Sequence, residues 1–185
     1  MKAFRLLPFF IVLAFAITSQ GFAREATHIE EALNSAKLQG NGKLTWWGFH
    51  VYDAAFYRSN HLNSPEFALE LRYQKSFSGG SIANRSVEEM KKIGVSDTQA
   101  QAWGRQLAAI LPNVEPGQSL AAIYIPKQGT TFYSEGKTLG QIAGSDFPRA
   151  FFGIWLDPKT SVPKLREQLL GQNCPPPLFQ EVCNQ

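Results

Sequence analysis

The order of apolar and polar positions changes period several times along the chain. From Leu38 to Arg58 it is dense in Trp, Phe, Val, Tyr and Thr, which suits one long strand or two consecutive ones. Phe67, Leu69, Leu71 and Tyr73 then alternate with Ala68, Glu70, Arg72 and Gln74, a period of two that predicts a strand with one solvated face. Ahead of both, Ala26, Ile29, Leu33 and Ala36 have helical spacing after Thr27, a short lead-in. The middle of the chain turns helical. Ser86 to Glu89 and Ser96 to Gln99 both read as capping boxes, in which a hydroxyl and a Glu or Gln three residues later satisfy each other's free backbone N–H groups. After the second, Ala100, Trp103, Leu107 and Ile110 share one helical face until Pro112, with Trp103 as the large anchor.

Strand signals return at Leu120 to Ile125, Thr130 to Tyr133 and Thr138 to Ile142, with Glu135-Gly136 as a turn. Two helices follow. Ser145 is placed to cap one carrying Phe147, Phe151, Phe152, Ile154 and Trp155. Ser161 is placed to cap another, with Pro163 in its first turn, Leu165, Leu169 and Leu170 inside and Gly171 just past its end. Strands, helices, strands and helices in that order predict an α+β fold with a large, mainly antiparallel sheet.

The first residues stand apart. Lys2 and Arg5 precede an uncharged run from Leu6 to Ile17, and Gly21 and Ala23 sit at the −3 and −1 positions of a signal-peptide exit. As a helix that run rises only about 18 Å, short of a hydrocarbon core of about 30 Å. The expected organisation is a cleaved signal peptide over 1–23, one domain over 24–171 and a C-terminal tail over 172–185. The product is expected in the periplasm or outside the cell, with no stable membrane span. Removing Lys2 and Arg5 takes the formal charge from +3 to +1, so the basic balance belongs mostly to the leader, and a nucleic-acid partner is not indicated. The hydrophobic share of 44% and charged share of 18% argue against disorder and a coiled coil. Cys174 and Cys183, with Pro175 to Pro177 between them, are most simply a disulfide clip on the tail, worth roughly 2–3 kcal/mol by loop-closure entropy. A metal site would need more ligands nearby, and a redox pair would be closer in sequence.

Several chemistries lack their residues. His28, His50 and His61 are far apart with no Cys or carboxylate at ligand spacing, so neither a metal nor a cofactor is expected. Gly40-Asn41-Gly42 lacks the third glycine of a dinucleotide fingerprint, and neither a phosphate loop nor Gly-x-Ser-x-Gly is present. Lys43, His50, Tyr52 and Asp53 form one possible acid–base group. Strand alternation puts His50 and Tyr52 on one face and Asp53 on the other, which argues against a direct His50–Asp53 pair. Aromatics concentrate in two places, six from Trp46 to Tyr57 and four from Phe147 to Trp155.

The segments Gly40 to Gly42, Trp47 to Tyr57, Phe67 to Tyr73, the string Phe151-Phe152-Gly153-Ile154-Trp155-Leu156-Asp157-Pro158 and Leu169-Leu170-Gly171 together resemble the bacterial, exported branch of the chalcone isomerase-like family. The resemblance implies an open-faced β-sandwich, a large antiparallel sheet covered on one side by helices, with a ligand cleft between the layers. Plant members of the family cyclise chalcones to flavanones, and related fatty-acid-binding members use the cleft for binding. Cyclisation needs a cation to hold a phenolate and polar groups to stabilise an enolate. The positions that correspond to the plant polar groups read Lys43, Ser78-Gly79-Gly80-Ser81, Arg85 and Pro148 here, so the constellation is largely unmatched.

The reading that follows is an exported, non-catalytic protein of this fold that holds a small apolar or amphipathic molecule of fatty-acid or phenolic type. Its candidate ligand-binding residues are Lys43, Trp47, Phe49, Tyr52, Arg72, Tyr73, Trp103, Phe151 and Trp155, with Lys43, Arg72 and Tyr73 gripping a carboxylate or phenol. Two alternatives stand beside it: an isomerase or lyase using Lys43 with Tyr52 or Tyr73, and an envelope interaction module whose interior is filled by its own side chains.

Overall fold

The computed structural model describes residues 27–61 and 64–179. The expected signal peptide and Cys183 lie outside the described residues. Six strands form one antiparallel sheet in chain order: β1 (Ala36–Trp46), β2 (Phe49–Ser59), β3 (Phe67–Tyr73), β4 (Ser119–Ile125), β5 (Gly129–Ser134) and β6 (Lys137–Ile142). Among the described residues five α-helices accompany it, α1 (Thr27–Ala32), α2 (Gly79–Lys92), α3 (Asp97–Ile110), α4 (Asp146–Leu156) and α5 (Pro163–Leu170), followed by a short 3-10 helix at Pro177–Phe179. This is the α+β fold with a large antiparallel sheet expected from the order of elements, in the open-faced form that the resemblance implied.

The long aromatic stretch is a hairpin, broken at Trp47 (φ 50°) and Gly48 (φ 79°). Both central residues are left-handed, the two-residue turn whose twist matches that of the strands. β2 carries an extra residue at Val51, since Leu44 pairs with Tyr52 while Thr45 pairs with His50. That bulge shifts the alternation: His50 falls on the same face as Asp53, and its Nε2 lies 2.9 Å from Asp53 Oδ1. The sequence expectation that the two point apart is therefore wrong, because it assumed an unbroken period of two.

The sheet's two faces are built differently. On the front, Tyr52, Ala54, Phe56, Phe67, Leu69, Leu71, Tyr73, Leu120, Ala122 and Phe132 join buried residues of α2 to α5 in one apolar cluster. Phe67 and Phe152 meet edge to face at 4.7 Å, and Phe151 continues the contact to Phe132 at 5.1 Å. On the back, a smaller cluster forms where Ile29 and Leu33 cover Ala68, Ala121 and Ile123. β3 consequently has no solvated face; all its residues except Arg72 are buried. The expectation of one polar, wetted side fails because α1, a two-turn element with a weak sequence signal, lies over it.

Helix starts also differ from their sequence signals. α2 begins seven residues before the Ser86 box, with Ser78 accepting from the Ser81 N–H, and Ser86 is mid-helix, its hydroxyl donating to the Ile82 carbonyl. α3 starts as expected, with Ser96 Oγ accepting from Gln99 N–H. Ser145 and Ser161 make no capping bond to the helices they precede. Gly40 and Gly42 have a packing role: a Cβ at either would collide with Gln168 and its neighbours on α5, so glycine lets that helix lie directly on β1.

Candidate functional site

Between the front of the sheet and helices α2 and α4 lies a cavity of about 430 Å³, within the roughly 300–1,000 Å³ typical of small-molecule sites. Its floor is the odd-numbered face of β3 with its neighbours: Leu69, Leu71, Tyr73, Tyr52, Leu120 and Phe132. α4 contributes Phe151, Ile154 and Trp155, and α2 contributes Ile82, Arg85, Ser86 and Glu89, which recur at three- and four-residue steps on one helical face. The walls are thus aliphatic and aromatic, with polar groups gathered along the α2 side.

Two features set the cavity's electrostatics. In the wall, Trp155 Nε1–H donates to the Tyr52 hydroxyl at 2.9 Å, both side chains buried. Burial pushes the Tyr52 phenol up to about 12, the bond from Trp155 opposing the shift in part; Tyr73 is also raised, by burial and then by neighbouring Tyr52. Both phenols therefore stay protonated and neutral near pH 7. At the rim, Glu89 is 6% exposed and sits 2.6 Å from Arg85 Nη2 and 2.9 Å from Lys92 Nζ, and it accepts from the Ser161 hydroxyl. Burial alone would raise the Glu89 carboxyl, but the bonds from Ser161 and Lys92 and the charges of Arg85 and Lys92 outweigh it and hold the group below its ordinary value. Two cations share one carboxylate here, so the trio carries one positive charge in excess. Arg85 is half-exposed and its guanidinium lies 5.3 Å from the Trp46 ring centroid, so the excess charge stands at the opening.

A profile of the family described as chalcone isomerase-like matches residues 22–171, most of the chain. The protein belongs to the chalcone isomerase-like family. It is 30% identical over 136 residues to an uncharacterized protein of Haemophilus influenzae, covering 72% of this chain and 67% of that one. Among solved structures it is similar to a fatty-acid binding protein of Arabidopsis thaliana, with a TM-score of 0.55 and 16% identity over 74% of this chain and 87% of that one. At that identity the likeness is one of fold.

Within this chalcone isomerase-like framework the candidate residues separate into groups. Tyr52, Tyr73, Phe151 and Trp155 line the cavity together. Lys43 and Arg72 do not join them: both register with Asp53, on the back of the sheet. They border a second depression there with Asp53, Tyr57 and Glu70. Neither can grip a molecule lying against Tyr52 or Tyr73, because the sheet separates them, and pairing Lys43 with either tyrosine as an acid–base unit fails for the same reason. Trp47 and Phe49 project at the hairpin tip instead of lining the cavity. Trp103 packs edge to face on Phe147 at 5.6 Å, holding α3 to α4 away from the cavity.

Sequence reasoning missed Arg85, Ser86, Glu89 and Ser161. The available signal was the Arg85–Glu89 spacing, one helical turn apart; reading Ser86 as a helix start hid it, since it placed Arg85 outside the helix. Among the described residues no group of His, Cys, Asp and Glu is placed to hold a metal ion, and no helix is long and apolar enough to cross a membrane.

Proposed function

We propose that the protein is an exported, non-catalytic binder of a small amphipathic molecule of the fatty-acid type, its chain in the front cavity and its anionic head at Arg85. The observation that carries this reading is the pairing of an apolar cavity with a rim of one excess positive charge. A carboxylate recruited there meets a guanidinium already held in place by Glu89 and Trp46, which lowers the ordering cost of binding. The fatty-acid binding role of the Arabidopsis protein of similar fold is consistent with it. Export rests on the charged, apolar and small-residue succession of residues 1–23. Against catalysis, the phenols facing the cavity are neutral near pH 7, and Glu89, the carboxylate on its α2 side, is already engaged by Arg85, Lys92 and Ser161.

Native mass spectrometry of gently purified protein, followed by uptake of a fatty-acid series by the stripped protein, tests the reading. Arg85→Ala should weaken uptake of the acid about tenfold or more and leave the corresponding alcohol almost unchanged. Ala122→Phe, which puts a ring into the cavity, should abolish both. A protein that is empty as purified and takes up neither fatty acids nor phenolic compounds would sink the proposal, and turnover of a chalcone-like enone would overturn its non-catalytic part.

A further inference from the structure

Among the exposed large hydrophobic side chains of the described residues, three belong to one turn: Trp46 is 54% exposed, Trp47 85% and Phe49 66%. The turn joins β1 to β2, and its backbone demands left-handed residues at Trp47 and Gly48. Asn or Asp before glycine is the ordinary choice for such a turn. A tryptophan at φ 50° runs against local preference, and nothing in the fold recovers the cost, since Trp47 contributes nothing to either core cluster.

The surroundings of the tip indicate what it meets. Lys75 Nζ lies 5.8 Å from the Phe49 ring centroid, and Arg85 stands over Trp46. Among the acidic groups, Glu89 is outnumbered by the cations Arg85 and Lys92, while Asp53 and Glu115 accept hydrogen bonds from Gln74 and Ser76. The tip is therefore aromatic at its point and cationic at its shoulders, complementary to an anionic surface with an apolar interior. A four-residue turn is too small for the roughly 800 Å² per partner of a stable protein interface. It is well suited to a bilayer boundary, where Trp rings sit among headgroups and each buried ring counts. Trp46 also borders the cavity, so whatever the tip touches, the opening faces.

We propose that the β1–β2 tip is a membrane-docking element, which inserts Trp47 and Phe49 into the headgroup boundary of an anionic bilayer while Lys75 faces the phosphates. Docking in this way sets the cavity's opening on the lipid surface, and it does not depend on which molecule the cavity holds.

The test uses the full mature chain with vesicles of phosphatidylcholine alone and of phosphatidylcholine mixed equally with phosphatidylglycerol. The wild type should sediment with the mixed vesicles, and brominated acyl chains should quench its tryptophan emission. Trp47→Asn combined with Phe49→Ser keeps the turn's backbone preference and should reduce partitioning about tenfold or more, with an unchanged far-ultraviolet circular dichroism spectrum. Lys75→Glu should weaken binding to the mixed vesicles more than to neutral ones. Absence of vesicle binding by the wild type, or equal binding by the folded double variant, overturns the proposal. A dimer in solution that the double variant abolishes also overturns it, by assigning the tip to a second copy of the chain.

Discussion

The two faces of one sheet handle polar chemistry in opposite ways. On the back, charged side chains stand opposite one another on neighbouring strands, Lys43 and Arg72 both in register with Asp53, and Glu70 is buried beside Tyr57. On the front, the strands present only apolar groups and phenols, and the cations come from α2. Successive residues point to opposite faces, and in these strands the front positions that border the cavity are apolar or phenolic while the charges fall on the back. In this chain the cation that borders the cavity is supplied by a helix.

The largest effect that would break this contrast is expected at Phe152, which is fully buried between the sheet and α4. Phe152→Ala should cost about 3–5 kcal/mol in urea unfolding; a loss under about 1 kcal/mol would mean that the front layer is not the main core. Tyr52→Phe should cost about 1–3 kcal/mol by the same measurement, because it leaves the buried Trp155 N–H without its acceptor.

The two buried carboxylates sharpen the comparison through acid titration. Glu89, on the front, lies below its ordinary value of 4.5, so the folded state binds that proton more weakly than the unfolded chain. Its stabilisation is complete above the ordinary value and drains away as pH falls through the lowered one. Glu70, on the back, is raised, by burial first, with Glu135 adding to the shift while the bonds from Tyr57 and Ser119 oppose it. The folded state therefore binds its proton more tightly, and the penalty builds as pH rises from the ordinary value through the raised one and is complete above it. Glu89→Gln should lower Tm at pH 7 and Glu70→Gln should raise it, with both differences shrinking in acid. Equal signs for the two variants would contradict the distinction. The smallest effect belongs to the exposed cation of the back: Lys43→Ala should change stability by no more than about 0.5 kcal/mol and leave fatty-acid uptake intact.

The sheet was legible because Phe67 to Tyr73 and Leu120 to Ile125 carry apolar positions dense enough to name a strand and, for the first, to name its core face. That neither face of β3 is wetted was not legible, since it depends on Ile29 and Leu33, in and just after a distant two-turn helix. The bulge at Val51 left no mark in the sequence either, yet it reverses the relation of His50 to Asp53. Aromatic density pointed to Tyr52, Phe151 and Trp155, large side chains needed by any packed layer. The same density also pointed to Trp47 and Phe49, because composition does not distinguish a wall from a tip. Arg85 and Glu89 stayed hidden behind Ser78-Gly79-Gly80, a helix start made of poor helix formers, whereas Ser86-Val87-Glu88-Glu89 imitated a better one.

The contact between α5 and β1 bears on the order in which the domain can be completed. β1 is the first strand to be synthesised, and at Gly40 and Gly42 it has no side chains with which to hold a neighbour. Its lock is the last helix, which rests on those glycines and receives a bond from Gln39 Nε2 to the Leu170 carbonyl at 3.1 Å. Until residues 163–171 exist, the face of the strand at those glycines has no cover. A product truncated before Pro163 would therefore lose more than a helix: it would lose the contact by which the end of the domain covers its first strand.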